Sequence, residues 1–176
     1  MTSPADIKSS PRPGPGRRRT AARLAAVQAL YQIELAGASP ATVVFEFLRH
    51  RLGRESAAEG EDFGAADEKL FVDLVEGASA RRDELDEHIA PALTADWPLE
   101  RLETILRAIL RAGTYELMAR PEVPVRVVIS EYLDIAHAFF SGKEPGLING
   151  VLDRLARTLR PGGSREEADG HDAPSR

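Results

Sequence analysis

Residues 17–35 read RRRTAARLAAVQALYQIEL, and leucine, valine and tyrosine recur here at every third or fourth position. This spacing places the apolar side chains on one face of a helix, which must then pack against a core. Thr20 is a residue type that caps helix N-termini and Gly37 one that ends helices. We therefore predict an amphipathic helix from about Thr20 to Gly37.

The same helix opens with a concentration of positive charge. Arg17, Arg18, Arg19 and Arg23 crowd its start, so that residues 1–23 carry about +5 while the rest of the chain carries about −10. Cations at a helix N-terminus are disfavoured by the helix dipole, so the stability of the free helix does not explain them. A partner that carries phosphates would explain them; a solvated basic tail is the alternative.

Composition limits the class of protein. The 176 residues are 43% apolar, only 6% aromatic and rich in alanine, leucine, glutamate and arginine, which favours a single all-α domain. The absence of cysteine excludes disulfides and thiolate metal sites. No apolar leader or membrane-length apolar run occurs, so we expect a soluble cytoplasmic protein.

Proline and glycine divide the chain. We predict a disordered N-terminal tail over 1–16, one helical domain over 17–160 and a disordered C-terminal tail over 161–176. The acidic, glycine-containing stretch 53–64 predicts a long loop between two helices.

Apolar spacing predicts about seven helices and no sheet. Ser39 and Pro40 have the residue types that begin a second helix, which we expect to end near Gly53. The third pattern starts near Ala65 and continues to Pro91, with a kink or break at Gly77. Asp96 and Pro98 predict another helix start.

The second half of the chain continues the helical pattern. A turn between Pro121 and Pro124 separates the long middle helix from a broad apolar stripe over 125–140. The last helix is predicted over 145–159. Asn149 and Gly150 lie in its middle, and we expect Gly150 to permit close approach of a neighbouring helix, with Asn149 bonded to its backbone.

No catalytic, metal or cofactor site is predicted. His50, His88 and His137 lie on three different predicted helices without a second ligand at metal-binding spacing. The sequence also lacks a nucleophile elbow and a phosphate-binding glycine loop. We therefore predict a protein that is not an enzyme.

Phe139, Phe140 and Lys143 remain as candidates for function beside the arginines. They lie where the predicted sixth helix ends and the seventh begins. We expect one phenylalanine to join the core and the other to be exposed at the helix end. Arginine, lysine and exposed aromatic rings together favour single-stranded RNA, whose phosphates pair with cations and whose bases stack on rings.

Several ordered strings resemble the NusB family of bacterial transcription antitermination factors. These are Arg17 to Tyr31, Ile109 to Leu117, Val123 to Glu131, and Ile148 to Asp153. The resemblance covers about residues 17 to 159. It implies an all-helical fold of two small packed bundles and a non-enzymatic role.

The resemblance also implies partners and site residues. Proteins of this family pair with the ribosomal protein NusE, bind boxA RNA and help RNA polymerase transcribe ribosomal RNA operons, with a role in ribosome assembly. The RNA-binding positions correspond here to seven residues: Arg17, Arg18, Arg19, Arg23, Phe139, Phe140 and Lys143. The protein partner is expected near Arg101 to Tyr115. The alternative is a homodimeric helical interaction module without a direct role in RNA binding.

Overall fold

Seven α-helices form most of the computed structural model, which describes residues 14–52 and 66–163. They are α1 (Pro15–Ala36), α2 (Pro40–His50), α3 (Glu68–Ala80), α4 (Arg82–Ala92), α5 (Thr104–Ala119), α6 (Val125–Phe139) and α7 (Glu144–Leu159). No strand occurs in these two ranges, so the predicted all-α fold of about seven helices is confirmed. None of the described helices is long and apolar enough to cross a membrane.

Helix α5 lies at the centre of the fold. Helices α1, α2 and α3 contact one another, and α1 and α3 pack against α5. Helices α6 and α7 contact each other and α5, while α4 contacts α5 and α7. The fold is therefore two small helical groups that share α5, whose residues 108–117 are all buried.

Helix α1 begins at Pro15 rather than near Thr20, so the predicted N-cap is wrong. Pro15 occupies the first helical position, where its missing N–H costs nothing, and Gly14 precedes it without a side-chain cap. The carbonyl of Arg18 accepts a 2.9 Å hydrogen bond from the N–H of Asp67, just before α3. This tertiary contact holds the first turns of α1. The helix ends as predicted at Gly37, which has a positive φ of 62°.

Other helix boundaries differ in detail from those predicted from the sequence. The break between α3 and α4 falls at Arg81, four residues beyond Gly77, and Pro91 is accommodated in the last turn of α4. A short 3₁₀ helix, Leu99–Arg101, follows Pro98, and Asp96 does not cap it. Ser39 caps α2 as predicted, by accepting a hydrogen bond from the N–H of Thr42.

Most of the predicted tails and the predicted loop lie outside the described residues. The exceptions are residues 14–16, of which 15 and 16 belong to α1, and residues 161–163, which form a turn after α7.

Two glycines in helices have opposite surroundings. A Cβ on Gly77 would lie 2.1 Å from Cζ of the Tyr115 ring, whereas a Cβ on Gly150 would meet nothing within 4 Å. The expectation that Gly150 permits close helix packing is therefore wrong, because its open side faces away from the neighbouring helices. Asn149 is exposed, and its side chain forms no hydrogen bond with the described residues.

Alanine at these two glycines is expected to act in opposite directions. Gly150→Ala should raise the free energy of unfolding by about 0.5–1 kcal/mol, because alanine favours a helix interior. Gly77→Ala should lower it by about 1–3 kcal/mol, because the Tyr115 ring must move and give up its 2.8 Å hydrogen bond to Asp73. Urea unfolding of both variants measures the difference. Equal midpoints would contradict the contact between Gly77 and Tyr115.

Alkali should destabilise the protein through Tyr115. Burial and the hydrogen bond to Asp73 raise the pKa of Tyr115 to about 12, while an unfolded tyrosine ionises near 10. The stabilisation that the neutral Tyr115 hydroxyl gives the folded state is complete below about pH 10. It is lost as the pH rises towards 12, and the free energy of unfolding falls by about 1 kcal/mol per pH unit. Urea unfolding across this range should show a steeper fall for the wild type than for Tyr115→Phe. Parallel curves would contradict the shift.

Candidate nucleic-acid interface

The first turns of α1 carry the exposed basic residues. Arg17, Arg18 and Arg19 are all exposed, and the first turn contains no acidic residue. The unpaired N–H groups of a helix N-terminus also attract anions. The start of α1 is therefore a positive surface suited to phosphate.

Arg23 does not belong to this surface. It is only 2% exposed, and its Nε and Nη2 atoms donate to both carboxylate oxygens of Glu116 on α5 at 2.6–3.1 Å. Burial lowers the pKa of Arg23, but the hydrogen bonds and charge of Glu116 outweigh burial and raise it overall. The expectation that Arg23 meets RNA is corrected: its guanidinium is neutralised inside the protein.

A signal for this burial was present in the sequence. Arg23 precedes Val27 by four residues and Leu30 by seven, which is the spacing of the buried face of α1. The partner of Arg23 was not visible, because Glu116 lies 93 residues away along the chain.

The buried ion pair belongs to a network that joins three helices. The hydroxyl of Tyr132 on α6 donates to Glu116 at 2.8 Å, and Glu131 lies 3.4 Å from Nη1 of Arg23. Thr20, on the exposed side of α1, donates to Glu131 at 3.1 Å. Burial, followed by the charge of Glu116, raises the pKa of Tyr132 well above its usual value, so its hydroxyl remains a donor. The network sets the direction in which the basic end of α1 points.

The turn between α6 and α7 provides the aromatic and cationic groups predicted there. Phe139 is 42% exposed at the end of α6, whereas Phe140 is half-buried and packs against the core. Lys143 is exposed and directly precedes α7. One phenylalanine is therefore available for stacking, and the other anchors the turn.

Helices α1 and α6 lie side by side, so the basic start of α1 and Phe139 belong to two neighbouring helices. Thr20 contacts Glu131, and further along both helices Gln28 and Phe139 line the same cavity. The two helices therefore run in the same direction. Thr20 and Gln28 are about 12 Å apart along the axis of α1, a distance that a few nucleotides can cover.

The region expected to meet a protein partner, Arg101 to Tyr115, is mostly inaccessible. Only the 3₁₀ turn and the start of α5 reach the surface, where Arg101 and Glu103 are exposed and Ile105 is half-buried. Arg107 and Arg111 are held by Glu34 at 2.6 and 2.8 Å. Any contact with a partner in this region must therefore involve the N-terminal end of α5.

The described part of the chain contains no group of three or more histidine, aspartate or glutamate residues that could hold a metal ion. His50 and His137 are exposed, and His88 is half-buried on α4.

The chain is similar to known proteins over most of its length. The family model described as NusB family matches residues 20–157. The chain belongs to the NusB family. It is 51% identical over 142 residues to the transcription antitermination protein NusB of Caulobacter vibrioides, covering 81% of this chain and 94% of the relative. It is 52% identical over 145 residues to the Nitrobacter hamburgensis NusB, covering 82% and 89%.

Solved NusB structures share the fold. NusB of T. maritima matches with a TM-score of 0.67 and 28% identity, over 87% of this chain and 98% of that one. A NusB chain crystallised with NusE and double-stranded RNA matches with a TM-score of 0.64 and 25% identity, over 81% and 98%. The curated relatives are NusB antitermination proteins rather than enzymes, in agreement with the non-enzymatic protein predicted from the sequence.

Proposed function

We propose that this NusB-family chain is an RNA-binding antitermination factor that acts in the cytoplasm. It binds single-stranded boxA RNA of ribosomal RNA operons together with a NusE-type ribosomal protein, within an RNA polymerase antitermination complex. It thereby supports ribosomal RNA transcription and ribosome assembly. The observation that carries the proposal is the exposed arginine-rich start of α1 on a helix that packs beside α6, which ends at the exposed Phe139.

Each residue has a chemical role in this proposal. Arg17, Arg18, Arg19 and Lys143 pair with phosphates, and the planar guanidinium can donate two parallel hydrogen bonds to one phosphate. Phe139 offers a ring on which a base stacks. Phe140 holds the turn against the core, and Arg23 positions α1 through Glu116.

The NusE-type partner is assigned to the N-terminal end of α5. Arg101 and Glu103 are the exposed groups there, and the rest of α5 up to Leu117 is largely covered by other helices. The NusB chain solved with NusE and RNA supports a joint complex.

Removing two arginines should weaken RNA binding in a salt-dependent way. For Arg17→Ala with Arg19→Ala, the slope of log affinity against log salt should become shallower by about 0.7 for each lost phosphate contact. We expect about a tenfold loss of affinity at moderate salt. Fluorescence anisotropy of a labelled boxA RNA, with and without the NusE-type protein, measures both quantities.

A matched control removes the same charge elsewhere. Arg82 and Arg157 are exposed on α4 and α7, and their replacement by alanine should leave the salt slope unchanged. The circular dichroism spectrum of both double variants should remain that of a helical protein. An equal loss of RNA affinity in the two double variants would refute an RNA site at α1. A boxA duplex, run in parallel, should bind less tightly than the single strand.

The alternative function is a homodimeric interaction module. A homodimer that neither RNA nor the NusE-type protein dissociates would favour it.

A further inference from the structure

Helices α1 and α6 begin at the same end of the molecule. Thr20 of α1 contacts Glu131 of α6, and the two helices run in the same direction. Pro15 begins α1 five residues before this contact, and Val125 begins α6 six residues before it. The two helix starts therefore lie side by side, about 8–10 Å apart, which is the usual spacing of packed helices.

The last described residue, Gly163, lies at this same end of the molecule. A Cβ on Gly163 would lie 3.4 Å from Cγ2 of Val125, the first residue of α6. The sequence continues over residues 164–176 as SREEADGHDAPSR. The charged residues of this stretch are Glu166, Glu167, Asp169 and Asp172, against Arg165 and Arg176. An acidic segment therefore leaves the described fold beside the start of α6.

Three exposed arginines lie at these two helix starts. Arg17 and Arg19 belong to the first two turns of α1, and Arg126 belongs to the first turn of α6. None of the three guanidinium groups forms an ion pair or a hydrogen bond with the described residues. The N-terminus of each helix adds a positive partial charge, so an anion that meets both starts is attracted by both.

Three carboxylates of the described residues lie near the same helix starts, and each has another partner. Glu131 lies 3.4 Å from Nη1 of Arg23, and Glu122 lies 3.3 Å from Nη2 of Arg120. Asp67 caps α3 by accepting a 3.1 Å hydrogen bond from a backbone N–H of that helix. These groups therefore leave the charge of the three exposed arginines to an anion from outside the described range.

We propose that the acidic segment 164–176 binds across the starts of α1 and α6 in its own chain and competes with RNA for Arg17 and Arg19. This rests on the proposed function and adds the regulation of its RNA site. RNA that makes only phosphate contacts must displace the segment without other gains. RNA that also makes base contacts can displace it, so the segment favours specific over non-specific RNA.

The segment is long enough to reach both helix starts. Glu166 and Glu167 follow Gly163 by three and four residues, so an extended chain carries them about 10–14 Å, which exceeds one helix spacing. Attachment to the same chain holds these carboxylates at an effective concentration in about the millimolar range. Exposed ion pairs are individually weak, so the segment can bind and still be displaced.

Removing the negative charge of the segment should strengthen RNA binding. The neutralised variant carries Glu166→Gln, Glu167→Gln, Asp169→Asn and Asp172→Asn. At low salt its affinity for labelled boxA RNA, measured by fluorescence anisotropy, should exceed that of the wild type by about three- to tenfold. The difference should shrink as salt screens the competing ion pairs. The matched control removes the same charge from exposed positions of α3, α4 and the following loop, and its affinity should stay close to that of the wild type: Glu76→Gln, Glu87→Gln, Asp83→Asn and Asp96→Asn.

A nitroxide label on Ala168→Cys shows where the segment lies. The chain has no cysteine of its own, so the label has one site. The backbone N–H signals of Arg17 and Arg19 in an NMR spectrum should broaden, whereas that of Arg82, near the far end of α1, should not. Added boxA RNA or neutralisation of the segment should remove the broadening. A mixture of nitroxide-labelled protein with isotope-enriched protein that lacks the nitroxide should show none, because the contact lies within one chain.

The outcomes separate this inference from the function on which it rests. If the wild type and the neutralised variant bind boxA RNA equally, or the control gains as much as the neutralised variant, the inference is overturned and RNA binding stands. Broadening in the mixture would place the segment on a second copy of the chain and would also overturn it. If neither the wild type nor the neutralised variant binds boxA RNA at low salt, the proposed function fails and the competition fails with it.

Discussion

Glu116→Gln is expected to lower the free energy of unfolding by about 3–5 kcal/mol, because it leaves the Arg23 guanidinium buried without its main counter-charge. The two side chains are 3% and 0% exposed, so water cannot replace the lost carboxylate. Glu131, at 3.4 Å, compensates only in part. Urea unfolding followed by circular dichroism measures the change.

The exposed pair Arg157–Asp153 is the matched control. Its atoms are 2.8 Å apart, but its side chains are 70% and 48% exposed, so Asp153→Asn should cost less than about 0.5 kcal/mol. The double variant Arg23→Met with Glu116→Leu should be less destabilised than the sum of its single variants, because no charge is left unpaired. A cost for Glu116→Gln as small as that of the control would show that the pair is dispensable.

Arg160→Met should be the second most damaging substitution, with an expected loss of about 2–3 kcal/mol. The guanidinium of Arg160 follows α7 and donates to the carbonyls of Leu117 at 2.7 Å, Arg120 at 2.6 Å and Glu116 at 3.1 Å, and also to that of Val123. The carbonyl of Leu117 lies in the last turn of α5, where carbonyls lack intrahelical partners, and the C-terminus of a helix carries negative partial charge that a cation stabilises. Burial lowers the pKa of Arg160, but arginine remains charged at neutral pH.

Lysine tests the shape of this contact. Arg160→Lys keeps the charge but replaces the planar fork with a point charge, so it should recover only part of the loss. Arg157→Ala, one turn earlier on α7 and exposed, should leave the unfolding midpoint nearly unchanged. A melting temperature of Arg160→Met equal to that of Arg157→Ala would exclude a role for this clamp.

The presence of most helices could be predicted because it depends on the spacing of apolar residues that are close together in the sequence. The apolar positions of α2, α6 and α7 repeat at helical intervals, Ser39 has a residue type that begins helices, and Gly37 has one that ends them. Boundaries that depend on remote contacts were predicted less well. The start of α1 moved from Thr20 to Pro15, where the carbonyl of Arg18 is held by the N–H of Asp67.

The residues of the candidate site also fall into those that could be predicted from the sequence and those that depend on remote contacts. The exposure of Arg17 and Arg19 could be predicted from the sequence because their charge opposes the helix dipole, whereas the sequence did not decide which of Phe139 and Phe140 is exposed. Arg23 has the same residue type and lies in the same run of charge. Only its distant partner Glu116 decides that it is buried.

The sequence by itself determined the number of helices, the absence of a catalytic motif and the basic start of α1, because helical periodicity and local charge are properties of neighbouring residues. The tertiary structure alone decided which arginines face solvent, which glycine is needed for packing and how Gln28 and Phe139 come to share one cavity. These features depend on pairs of residues far apart in the chain, which meet only when α1, α2, α5 and α6 pack together.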